Sequence, residues 1–181
     1  MNKQLIAKLA VLALAAGSTA AHADVNNSAT FKVKIQITKT CAVSTAPADI
    51  DLGSVAATAS AVNQTGSTSF KVNCSKSTPF FIGLAPSSAN GGTSNGTGNM
   101  VSVANAGTNT DKVPYTLYSD AGYSTVWGNT ATATSVGNGV QGTGKGMASS
   151  NALTFNVYAK ATNVDFTPDS YADTVTVNVN Y

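Results

Sequence analysis

Apolar and polar residues alternate with a period of two in five separate stretches of the chain. That pattern turns one face of a β-strand to a core and the other to solvent. In the first stretch Ala29, Phe31, Val33, Ile35 and Ile37 alternate with Thr30, Lys32, Lys34, Gln36 and Thr38. Phe70, Val72 and Cys74 repeat the pattern, as do Tyr115 and Leu117 within residues 113–119, and Leu153, Phe155, Val157 and Ala159. The last run carries it through Tyr171, Asp173, Val175, Val177, Val179 and Tyr181. Phe80–Leu84 is a continuous apolar run behind Pro79, which predicts a strand buried on both faces. Thr, Val, Tyr and Phe dominate these segments, in line with β propensity, and no later segment keeps a helical period.

Polar, Gly-rich stretches separate the strands, the longest over residues 86–99 and 128–151. Asn90-Gly91, Asn95-Gly96 and Asn138-Gly139 are dipeptides able to take the positive φ of tight turns. Short strands, turn signals between them and no helices predict an antiparallel β-sandwich. No repeat with the period of a solenoid or propeller is present.

Residues 1–23 read as a secretory leader. Lys3 and Lys8 form its basic start, Leu9–Ala16 its apolar centre, and Ala21-His22-Ala23 its cleavage site. The predicted mature chain, Asp24–Tyr181, fits one domain. Only 10% of the 181 residues are charged, all of them Lys or Asp. Removing the leader takes away the one His and leaves eight Lys against eight Asp. Without His there is no Ser-His-Asp or Cys-His nucleophile and no His metal ligand. Without Arg there is no bidentate phosphate clamp. A balanced charge gives no pull toward nucleic acid, and little repulsion between copies of the chain.

Cys41 and Cys74 are the two cysteines. In an exported chain they point to a disulfide, with two free thiols or a two-thiol metal site as the alternatives. Residues 137–142 match GxGxxG and 139–145 match GxxxxGK, but Gly146 stands where a P-loop needs a hydroxyl. Those glycines read as a loop. Asp49 and Asp51 would share one face of a strand, and Asp165, Asp169 and Asp173 gather near the last loop. Carboxylates so placed can bind Ca²⁺ or do acid–base work, yet the spacing is that of no EF-hand, and turn-forming or solvated Asp is the plainer reading. Asn26, Asn63, Asn73 and Asn95 open N-x-[ST] patterns that a chain rich in these residues contains by chance. Trp127 beside Gly128 reads as a core or barrel-end aromatic rather than a ligand platform.

Two features depart from an ordinary closed sandwich. The first alternating segment is long: residues 24–38 would extend about 50 Å at ~3.3 Å per residue. The sequence also stops inside an alternating run, so the sandwich is expected to lack its closing strand and to offer an edge to another chain. The alternative for the Ala29–Ile37 segment is an ordinary first strand paired within its own domain.

The residues that follow carry a resemblance across nearly the whole mature chain. They are Thr40-Cys41-Ala42-Val43, Asp51-Leu52-Gly53-Ser54-Val55, Phe70-Lys71-Val72-Asn73-Cys74, Pro79-Phe80 with Leu84, residues 113–120 leading to Val126-Trp127-Gly128, and above all the ending, residues 171–181. The pattern resembles the spore coat protein U family, which includes subunits of archaic chaperone–usher pili. Pro168-Asp169-Ser170 departs from the family's more usual small-Gly pair.

The resemblance implies an immunoglobulin-like antiparallel sandwich lacking one strand and completed by the N-terminal strand of another subunit. It implies a donor strand within residues 24–38, holding Ala29, Phe31, Val33, Ile35 and Ile37, and a pilin domain over 39–181. The acceptor groove would be lined partly by Val175, Val177 and Val179, with the Tyr181 carboxylate as an anchor for a basic chaperone residue. Cys41 would be bonded to Cys74. Implied partners are other pilus subunits, a periplasmic chaperone and an outer-membrane usher, with no cofactor, metal, nucleic acid or small-molecule substrate. The expected role is a non-enzymatic subunit of an adhesive surface fimbrium, exported through the periplasm. The alternative is a secreted spore-coat or matrix protein that closes with its own N-terminal strand. A small secreted hydrolase is the remote third class.

Overall fold

The computed structural model describes residues 28–181; the expected leader over residues 1–23 and the Asn26 pattern lie outside them. The chain divides into two units, Met1–Gln36 and Ile37–Tyr181. In the first, the described residues 28–36 are exposed and belong to no helix or sheet. The second holds nine strands: β1 (Cys41–Thr45), β2 (Gln64–Cys74), β3 (Pro79–Pro86), β4 (Thr97–Ser102), β5 (Lys112–Tyr118), β6 (Val140–Thr143), β7 (Leu153–Ala161), β8 (Tyr171–Ala172) and β9 (Val175–Asn180). Two three-residue 3₁₀ turns, Ser88–Asn90 and Ser149–Asn151, are the helical pieces among the described residues.

The strands form an all-β antiparallel sandwich. One sheet runs β1-β2-β7-β5-β4-β8 and the other β6-β3-β9, with every pairing antiparallel. Phe70, Val72, Tyr115, Leu117, Val157 and Ala159 turn inward from the larger sheet, in the phase that the alternation sets, and Phe80, Ile82 and Leu84 meet them from β3. Trp127 closes the core between the sheets: its ring is 1% exposed, and its Nε1 donates to the Ile82 carbonyl at 2.8 Å. A buried indole N–H has to find such a partner. At one edge of the larger sheet Cys41 stands opposite Cys74, and the two are bonded.

The structure departs from the sequence reading at three places. The final run is not one strand: Tyr171–Ala172 pairs with β4, Val175–Asn180 pairs with β3, and the chain changes sheets at Asp173-Thr174. Asp173 stands in the inward phase, where a carboxylate has to be met by donors; the crossing point is where it finds them. Asp49 and Asp51 do not lie on a strand. Two strands, β4 and β6, arise inside or beside the stretches read as loops. β6 (VQGT) fits there because Gly142 leaves room for the Phe80 ring, which a Cβ would strike.

Candidate functional site

A groove of about 700 Å³ opens between the two sheets. Its floor is the inner face of the larger sheet, supplied by Phe70 of β2, Tyr115 and Leu117 of β5, and Val157 and Ala159 of β7. Leu84 of β3 and Val175 and Val177 of β9 form one wall. β9 is the outermost strand of its sheet, hydrogen-bonded to β3 on one side and to no strand on the other among the described residues. Its backbone therefore presents unpaired N–H and C=O groups along the groove, a template for a further strand. Val175, Val177 and Val179 are only partly buried although they stand in register with Pro86, Leu84 and Ile82. The wall is apolar and incompletely covered.

The opposite wall is the segment Pro47–Leu52. It is assigned to no strand, yet it keeps a strand's alternation: Ile50 and Leu52 are partly buried against the core, while Asp49 and Asp51 are exposed. It sits against β2 at Gly66, where an added Cβ would meet the Asp51 carbonyl and the Ile50 side chain. Asp51 accepts the Gly53 N–H at 2.8 Å, and Gly53 takes a φ of +90° to end the segment.

One end of the groove is polar. Asp173 and Thr174 cross there from one sheet to the other and join the lining. The Tyr115 hydroxyl donates to Asp173 Oδ2 at 2.6 Å, Asn90 Nδ2 donates to Oδ1 at 2.6 Å, and the Ser87 N–H reaches Oδ2 at 3.4 Å. Gly98 makes the approach possible, since a Cβ there would collide with the Tyr115 ring lying across β4. Burial pushes the Tyr115 phenol above its ordinary value of 10, and the hydrogen bond to Asp173 and that residue's charge push it the same way. The phenol is a permanent donor at any physiological pH.

Two further carboxylates are tied into their loops by hydrogen bonds. Asp169 accepts from Ser102 Oγ, from Asn109 Nδ2 at 3.0 Å and from the Ser170 N–H at 2.8 Å. The hydrogen bonds from Ser102 and Asn109 hold it down to about 2. Asp120 accepts the Thr125 N–H at 2.6 Å and the Ser124 N–H at 3.2 Å. Asp165, Asp169 and Asp173 are not brought together, and among the described residues no three His, Cys, Asp or Glu side chains are placed to hold a metal.

Of the residues singled out for strand exchange, Val175 and Val177 line the groove, whereas Val179 packs on the same face beyond its lining. Tyr181 lies past the end of β9, 36% exposed. Ala29 is exposed, and Phe31, Val33, Ile35 and Ile37 are between 84% and 89% exposed. Sequence reasoning did not single out the floor as a site, although its residues are the inward-phase positions of strands it had recognised. It missed the 47–52 wall and the link between Asp173 and Tyr115.

The sequence model of the Spore Coat Protein U domain matches residues 27–178. No curated protein matches the chain. Among solved structures, one similar chain belongs to the chaperone–tip adhesion subunit pre-assembly complex, CsuC–CsuE, from archaic chaperone–usher Csu pili of Acinetobacter baumannii. The two superpose with a TM-score of 0.46 at 16% identity, over 80% of this chain and 40% of that one.

Proposed function

The chain belongs to the Spore Coat Protein U domain family, and from that premise we propose that it is a structural subunit of an adhesive surface pilus, built through the chaperone–usher pathway by donor-strand exchange. The observation that carries the reading is the unpaired edge of β9 beside an apolar groove, in a chain that also bears an exposed apolar strand sequence. An inserted strand would pair with β9 and set its inward side chains on Phe70, Leu117 and Val157. Burying Ala29, Phe31, Val33, Ile35 and Ile37 is worth on the order of 10 kcal/mol before ordering losses, at roughly 1.5–3 kcal/mol for each large side chain. Main-chain hydrogen bonds then fix direction and register.

A chaperone would shield the groove during export, an usher would exchange it for the next subunit, and adhesion and biofilm formation would follow from the fibre. The self-closed coat-protein reading requires the 29–37 side chains to be covered within their own molecule. Negative-stain microscopy of cells with and without this chain is the test. Surface fibres that vanish on its deletion and return on its re-expression support the reading, and unchanged fibres contradict it.

A further inference from the structure

We infer that the groove takes the 29–39 segment of a second copy of this chain, selected by pairing of Lys32 and Lys34 with Asp49 and Asp51. The inference rests on the strand-acceptor reading above and names its occupant. Every charged residue in the groove's lining is an Asp: Asp49, Asp51 and Asp173. Asp173 is engaged by Tyr115 and Asn90, which leaves the exposed pair on the 47–52 wall to meet an incoming chain. From Val25 to Ala48 the sequence has Lys32, Lys34 and Lys39 and no acidic residue.

The two pairs also match in spacing. Asp49 and Asp51 alternate with inward Ile50 and Leu52, and Lys32 and Lys34 alternate with Phe31, Val33 and Ile35. Both are i, i+2 pairs, about 6.6 Å apart along an extended strand at ~3.3 Å per residue. A strand laid between β9 and the 47–52 wall with its apolar phase down carries its lysines at the height of the wall's carboxylates. Cross-strand opposite charges favour that register, and like charges oppose it. Charges at a solvent-exposed rim act chiefly on the rate of association and on its salt dependence.

The test uses the mature chain carrying Ile35→Asp, so that its own segment does not compete, diluted from denaturant into fluorescein-labelled peptide. One peptide has the sequence of residues 28–39, and the other carries Lys32→Glu and Lys34→Glu with every apolar residue kept. At low salt the native peptide is expected to be captured about 10-fold faster, with the difference disappearing at 1 M salt, where the screening length is about 3 Å. An acceptor with Asp49→Lys and Asp51→Lys should reverse the order. Equal capture of both peptides overturns the charge pairing while leaving the strand-acceptor reading intact; capture of neither contradicts that reading itself. Unmodified chain should form multimers alone. A unit that stays monomeric by size, with its own segment protected from protease, overturns the second-copy occupant.

Discussion

The Tyr115 hydroxyl donates to the Asp173 carboxylate at 2.6 Å, joining the floor of the groove to the point where the chain leaves one sheet for the other. The groove thus has a fixed end, and β9 starts from it at a defined height above the larger sheet.

Asp173→Ala should destabilise the domain by about 1–3 kcal/mol, because it removes the acceptor of the buried Tyr115 phenol. Tyr115→Phe should cost less, since Asn90 and Ser87 still meet the carboxylate. Urea unfolding midpoints of the two variants give the order. A smaller loss for Asp173→Ala than for Tyr115→Phe would contradict it.

The same bond sets an alkaline limit. Tyr115 resists ionisation in the folded state above the ordinary value of 10, so the stability it confers is whole below pH 10. Above that pH the unfolded chain loses the proton more readily, and the contribution falls as pH rises. Tyr115→Phe should flatten the fall, as followed by urea unfolding at stepwise pH.

Asp169 works in the opposite direction. Its carboxyl, held down to about 2, contributes stability above the ordinary value of 3.8 that is lost as pH falls from there toward 2. Asp169→Asn should weaken that part of the acid transition in a thermal melt series, while a variant remote from the carboxyl, Lys145→Gln, should leave it unchanged.

These linkages indicate what sequence could and could not reveal. Alternation located β2, β5 and β7 because half-buried strands repeat every second residue, and Pro79 marked the start of β3. It failed at Asp173, where an unbroken period hid a change of sheet that depends on Tyr115 and Asn90, residues 58 and 83 positions away. β4 escaped because TGNMVS carries its packing through Gly98 and half-buried Met100, with no clean alternation. The wall at 47–52 was read for its two Asp residues as a strand; its alternation was real, but its strand partner is absent among the described residues.

The Cys41–Cys74 bond ties β1 to β2 across a separation of 33 residues. Replacing both by Ala should cost about 2–4 kcal/mol through the loop it frees in the unfolded chain. Mass mapping of the oxidised protein should give one linked peptide pair, and denaturation midpoints should fall accordingly. Two alkylatable thiols in native material would contradict the pairing.

If residues 29–37 fill the groove of another molecule, the final fibre mass formed by two variants reports it. Ile35→Asp places a carboxylate in the inward phase, at a cost of several kcal/mol in an apolar groove. Lys34→Asp changes the outward face, where substitutions usually alter stability by within about 0.5 kcal/mol, and should slow assembly without reducing its extent. Both variants should be exported and protected equally before assembly. Lys34→Asp should reach the unmodified fibre mass and Ile35→Asp should form no long fibres, judged by heat-stable ladders on gels and by microscopy. Equal final fibre mass from the two variants would rule out insertion of this segment in that phase.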